Sequence, residues 1–148
     1  MIAPGLFLKS TSALRGTVFE DTVIVIVQED PKGSIGFIIN QRTSRFLNEL
    51  EEFRHCKSFT LYLGGPVDQE HIYLVHTRPD LIGGAIKVNN NLYWAGDMND
   101  VVSNIQNRSL NEDQLKIMLG YCGWDAGELQ LEIEEGSWLI INEVGVFQ

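Results

Sequence analysis

The chain has little cysteine: Cys56 and Cys122 alone among 148 residues, with no Cys-x-x-Cys pair. That excludes a disulfide framework and the paired-cysteine zinc patterns, and it fits a reducing compartment, the cytoplasm. Histidine is scarce as well, and His71 and His76 are five residues apart. On a strand that spacing sends them to opposite faces, so one strand cannot offer both to a metal; no metal site and no cofactor is assigned. Basic charge is short, with 11 Lys and Arg against 20 Asp and Glu and a net charge of −9. A surface of that sign repels phosphate backbones, so direct nucleic-acid binding is disfavoured. No apolar run approaches the ~20 residues of a membrane-spanning helix, so no membrane partner is expected. The run Ile2–Leu8 has no basic region before it and is interrupted by Pro4 and Gly5, which does not make a signal peptide. Phosphate-loop, dinucleotide and His-Glu-x-x-His patterns are missing too.

What the chain does have is short apolar segments punctuated by glycine. Thr22–Gln28 holds five consecutive Val and Ile residues and predicts a strand buried on both faces, and Ile35–Asn40 a second one across the turn at Pro31–Gly33. Gly36 inside that strand predicts a bulge or a close backbone neighbour. Ser44–Phe53 predicts a helix, with Phe46, Leu47, Leu50 and Phe53 on one stripe and Glu49, Glu51 and Glu52 on a solvated face. Strands are predicted at Phe59–Leu63, Ile72–His76, Ile82–Val88 and Leu92–Gly96, with Gly83-Gly84 marking a bulge. Asp97 should cap a helix whose stripe is Met98, Val101, Val102 and Ile105. Leu115–Tyr121 predicts a strand, and Ser137–Asn142 another. Between them two readings stand. Leu129, Leu131 and Ile133 alternate with Gln130, Glu132 and Glu134 as on a strand, while Asp125-x-x-Glu128, the helix formers and Gly136 favour a capped helix. The class is α+β, one domain over 1–148, with a mixed, mostly antiparallel sheet and about three flanking helices.

Two thiols invite a nucleophilic reading. Cys122 follows Gly120 at the end of a strand, one glycine short of a nucleophile elbow, but Asp125 nearby disfavours a thiolate and no histidine follows it in the chain. Cys56 lies in Arg54-His55-Cys56-Lys57, whose positive charge favours the thiolate, and is the better reactive thiol of the two. Buried structural cysteine accounts for Cys122 more simply, and an incidental cysteine after a helix end for Cys56. Trp94, Tyr121, Trp124 and Trp138 offer aromatic surface for a planar ligand, with core packing the commoner fate.

Taken together the segments resemble the YqgE/AlgH family of uncharacterised bacterial proteins, some labelled transcriptional regulators. Phe19-x-x-Thr22-Val23 with its apolar strand resembles the family's F-x-R-S-V run, and Gly36–Asn40 its G-l-v-l-N. Tyr62-x-Gly64-Gly65-Pro66-Val67 is similar to its G-G-P-V turn, His76 to its strand histidine, and Trp94-Ala95-Gly96-Asp97 to its G-G-D. Gly120-Tyr121-Cys122-Gly123-Trp124, with Gly127-Glu128-Leu129 and Trp138, is similar to its G-Y-A-G-W segment. Asp21, Thr22, Arg42, Cys122 and Glu128 depart from the usual arginine, serine, proline, alanine and glutamine, and the alanine argues against Cys122 as a family catalyst. The resemblance implies a bifurcated sheet curled into a pseudo-barrel and a helix after Trp124. Candidate ligand-binding positions fall in these motifs: Asn40, Gly64, Gly65, Pro66, His76, Asp97, Tyr121, Gly123 and Trp124. No catalytic residue is assigned. The expected function is a non-enzymatic cytoplasmic regulatory protein that binds a small ligand or a protein partner. The alternative is a small hydrolase or transferase using Asn40, His76 or Asp97 on a cleft between the Gly-Gly-Pro and Gly-Tyr-Cys-Gly-Trp turns.

Overall fold

The apolar runs after Thr22 and after Gln114 both become strands covered on two faces, and the rest of the sheet is laid against them. In chain order the computed structural model, which describes residues 1–147, runs β1 (Phe7–Ser10), β2 (Val23–Asp30), β3 (Gly33–Ile38), β4 (Arg42–Phe46), β5 (Thr60–Leu63), β6 (Val67–His76), β7 (Ile86–Asn89), β8 (Leu92–Trp94), α1 (Met98–Gln106), β9 (Leu115–Asp125), α2 (Glu128–Glu134) and β10 (Trp138–Ile141). The ten strands form one sheet in the order β10-β1-β2-β3-β9-β6-β8-β7, with β4 and β5 branching from β9. All pairings are antiparallel except β5 with β9. The path is open, since no pairing among the described residues joins β10 to β7; the closed pseudo-barrel that the resemblance implies is not made by strand pairing.

The sheet does fork. One edge of β9 pairs with β6 from Leu115 to Tyr121. Its other edge is shared: Ile117–Leu119 pair with β5, and Cys122–Asp125 pair with β3. Gly120 stands where the two partners diverge, with a left-handed φ of 73°. On the β2–β3 hairpin the register shifts between Ile26 and Gln28, beside Gly36, where an added Cβ would come within 2.9 Å of the Val25 carbonyl oxygen. The bulge and the close neighbour read from that glycine are both present.

Two α-helices flank the sheet where three were expected. The segment 44–53 is no helix: β4 ends at Phe46, and two 3₁₀ turns, Leu47–Glu49 and Glu51–Phe53, follow. Extended backbone at Phe46 and Leu50 breaks any α run, and Thr43 Oγ1 and the Leu47 N–H bond the carbonyls of Leu61 and Phe59, tying the segment to β5. Of the stripe that suggested a helix, Phe46 ends β4, and Leu47, Leu50 and Phe53 are left three apart, which is the 3₁₀ period. Gly83-Gly84 makes a turn and not a bulge, so Ile82 drops out of its strand and β7 begins at Ile86; Gly84 takes a left-handed φ of 77°. β1 was not foreseen. Four residues long and lying between β10 and β2, it is too short to show a period.

Asp97 caps α1 as expected, its side chain accepting the Asn99 N–H at 2.8 Å. The helical reading of 128–134 also holds, but Asp125 is not its cap: Asp125 ends β9, Gly127 takes the cap position with φ 81°, and the Glu128 carboxylate reaches back to the Asp125 N–H. Among the described residues, no helix is long and apolar enough to cross a membrane.

Candidate functional site

The two most distinctive motifs meet at the fork. Gly64 bridges three strands, its N–H donating to the Leu119 carbonyl and its own carbonyl accepting the Ile38 N–H, each at 2.8 Å. The Cys122 thiol donates to the same carbonyl at 3.4 Å. Gly64 and Gly65 are buried against the backbone of β9. A Cβ at Gly64 would lie 2.9 Å from the Met118 Cβ and closer still to the Gly120 carbonyl, and one at Gly65 would lie 2.5 Å from the Cys122 nitrogen. Neither glycine has room for a side chain. Their observed role is to let three backbones approach one another.

Beyond the fork a shallow depression of about 410 Å³ opens, lined by Tyr121, Gly123 and Trp124 of β9, Val67 of β6, and Gln28, Asp30, Lys32 and Ser34 of the β2–β3 hairpin. Tyr121 forms one wall, its ring edge-on to Tyr73 with centroids 5.4 Å apart. Beside it Asp68, with a left-handed φ of 57°, accepts from the Tyr73 hydroxyl at 2.6 Å and contacts His71 Nδ1 at 2.7 Å. These two hydrogen bonds hold the Asp68 carboxyl below the usual carboxylate range. The same carboxylate raises His71, while burial, ahead of Asp68, pushes the Tyr73 hydroxyl up to about 12. The hydroxyl of Ser34 is bound to the Glu29 carboxylate, and no hydrogen bond joins it to a histidine or lysine. Pro66 is exposed at the end of the Gly-Gly-Pro turn.

The remaining expected residues are elsewhere and individually engaged. Asn40 bonds the Val23 N–H and the Asp21 carbonyl, fixing the start of β2. His76 is fully buried, with Nε2 3.0 Å from the Ala95 carbonyl and Nδ1 accepting the Arg78 N–H at 3.1 Å. Both ring nitrogens are therefore occupied, and burial lowers its pKa, so the ring is neutral with its proton on Nε2. No hydrogen bond joins Asn40, His76 or Asp97 to another of the three. Both cysteines are free and buried, and burial raises both thiols, Cys122 to about 12. At Cys56 that effect runs opposite to the activation its basic neighbours suggested.

One residue was missed. Lys116 is the second residue of β9, in the buried run Leu115–Leu119, with 7% of its surface exposed. Its ammonium donates to the Ile39 carbonyl at 2.7 Å and lies 4.5 Å from the Tyr62 ring centre. Burial pulls its pKa from 10.5 down to about 8. The signal was available: a lysine inside a strand buried on both faces must be buried as well. Because the folded value lies below the unfolded one, the unfolded chain holds the extra proton between these limits, and stability rises with pH across that window. Lys116→Met should abolish the rise, so that wild type gains about 2–3 kcal/mol relative to the variant from pH 8 to 10.5. Urea melts of both proteins over that range measure it. Loss of side-chain packing would shift the whole profile without changing its slope; parallel profiles would refute the assignment.

The AlgH-like family model matches residues 7–145 of this chain. A UPF0301 protein of Chlorobaculum tepidum is 34% identical over 146 residues, an overlap covering 93% of this chain and 74% of the relative. A UPF0301 protein of Bacteroides thetaiotaomicron is 31% identical over 144 residues, covering 97% and 73%. Among solved structures, the AlgH protein of Pseudomonas aeruginosa superposes with a TM-score of 0.77 at 23% identity, covering 98% of this chain and 80% of its own. Protein DIP2367 of Corynebacterium diphtheriae gives 0.79 at 21% identity, covering 98% and 78%. At those identities the two solved structures establish a shared fold.

Proposed function

This chain belongs to the AlgH-like family, and on that premise we propose that it is a cytoplasmic binding protein and not a catalyst. It takes up a small ligand or a partner's side chain in the depression walled by Tyr121, Gly123 and Trp124, and regulates through that occupancy. The observation that carries this reading is the company these residues keep. They open a concave surface of about 410 Å³ that contains no histidine and no cysteine, while His76 and both thiols are committed to the interior. Aromatic walls with a polar rim are what a small-molecule site requires. A hydrolase or transferase built on Asn40, His76 and Asp97 would need those side chains to converge, and each instead serves a different backbone neighbour. Regulation through duplex DNA is disfavoured by the net charge of −9. Two free, buried cysteines accord with a reducing compartment.

The test is equilibrium dialysis of the protein against a metabolite extract, with retained compounds identified by mass spectrometry. A compound retained unchanged by wild type and by Lys116→Met, yet lost from Tyr121→Ala and Gly123→Gln, supports the proposal. Conversion of a retained compound to a product that the same two variants abolish would overturn it.

A further inference from the structure

Lys116 lines a second cleft, on the other side of the fork, together with Val23, Ile39, Asn40, Arg42 and Tyr62 and closed by Val144–Val146. Its volume is about 400 Å³. No carboxylate stands among the lining residues, although the chain carries 20 acidic side chains against 11 basic ones. Two of those few cations are here, and neither forms an ion pair: the salt bridges among the described residues are Asp68 with His71 and Arg78 with Asp80. Lys116 gives one N–H to the Ile39 carbonyl, and Arg42 gives Nη2 to Thr60 Oγ1 at 3.2 Å. Two ammonium protons and most of the guanidinium fork have no hydrogen-bond acceptor among the described residues. A buried ammonium with no opposing charge is costly to keep, and an anion brought to it would remove most of that penalty.

The lining also selects among anions. Val23, Ile39, Val144, Val146 and the Tyr62 ring are apolar, and the charged donors are confined to Lys116 and Arg42; the Asn40 amide already bonds Val23 and Asp21. A phosphate would turn its outward oxygens onto these apolar walls, and the Ile39 carbonyl beside the ammonium disfavours a second negative charge. A single carboxylate is matched by one ammonium and one guanidinium, and an attached hydrocarbon body by the aliphatic walls. We propose that this cleft binds a small organic carboxylate, its carboxylate held between Lys116 and Arg42 and its apolar tail against Val23, Ile39 and Val144. This site is separate from the depression at Tyr121 and stands or falls without it.

The experiment is an amide chemical-shift titration of the isotopically labelled protein with hexanoate, hexanamide and inorganic phosphate in turn. Hexanoate is expected to give saturable shifts centred on Ile39, Tyr62, Lys116 and Val144. Hexanamide and phosphate should bind at least about tenfold more weakly, as loss of a charge-assisted contact or of tail burial requires. Lys116→Met and Arg42→Gln should each weaken hexanoate by about tenfold or more, with spectra that remain dispersed. Arg42 is exposed, so its substitution leaves folding intact even if Lys116→Met does not. Equal affinity for hexanamide, tighter binding of phosphate, or absence of saturable shifts at these residues up to about 10 mM would each overturn the assignment.

Discussion

Gly65→Ala is expected to cost more than about 4 kcal/mol and to leave little folded protein. The added Cβ would lie 2.5 Å from the Cys122 nitrogen and closer still to the carbon and oxygen of the Tyr121 carbonyl. These are backbone atoms of β9, held by hydrogen bonds to strands on both sides, so no side chain can swing aside to make room. Relief requires parting β5 from β9 at the point where the sheet forks. Gly123→Ala in the neighbouring motif supplies the control. Its Cβ would meet only the edge of the Tyr121 ring, at 3.3 Å, and Gly123 has no left-handed φ, so a loss within about 1 kcal/mol is expected. Urea unfolding followed by circular dichroism compares the two. A Gly65→Ala protein within about 1 kcal/mol of wild type would show that the fork tolerates opening.

Glu132→Ala is expected to destabilise by about 2–3 kcal/mol, because one carboxylate oxygen serves two indoles. Glu132 Oε1 accepts from Trp124 Nε1 at 3.1 Å and from Trp138 Nε1 at 3.0 Å, and the two rings meet edge to face with centroids 6.3 Å apart. Both tryptophans are buried, so removal of the acceptor leaves two N–H groups short of a partner in a packed setting. Glu132→Gln keeps one acceptor oxygen and should lose about half as much. Denaturant melts give the size, and a shift in tryptophan emission localises it. Wild-type stability in the alanine variant would mean that water replaces the carboxylate without penalty.

That clamp also explains why this stretch was ambiguous in sequence. Leu129, Leu131 and Ile133 alternate with polar residues, and a strand would have pointed Glu132 away from its apolar face. In the helix Leu131 is exposed while Leu129 is buried, and Glu132 reaches the two indoles that bracket the segment. The helix-forming residues and Gly136 after the last turn were the better guide there, although Asp125 is not the cap. At 44–53 the reverse occurred: a stripe with helical spacing became two 3₁₀ turns, because hydrogen bonds to β5, more than ten residues away in sequence, outcompeted the local α pattern.

The site divided in the same way. The motif residues were legible as a set, and Tyr121, Gly123 and Trp124 do share a concave surface. The set mixed two physical roles, though, since a glycine required by backbone contact and a glycine at a pocket wall look alike in one sequence. Gly64 and Gly65 belong to the first kind, and Gly123 to the second. Asn40, which the motif pattern grouped with them, lines the opposite cleft with Lys116 and Arg42.

What the sequence by itself determined was therefore what rests on composition and local period: an acidic chain of short strands, the doubly buried run at Thr22–Gln28, the strand at Leu115–Tyr121, the Asp97 cap, and membership of a glycine-marked family. Tertiary structure alone decided that β9 divides its edge between β5 and β3, that the Gly-Gly-Pro turn is pressed into that division, and that Lys116 lies in one cleft with Arg42, neither of them ion-paired among the described residues. The reason is one of range. Caps and alternation act between residues a few positions apart, whereas the fork and both clefts are made by backbones brought together across more than about 50 positions of chain, as Gly64 meets Cys122 and Ile39 meets Lys116.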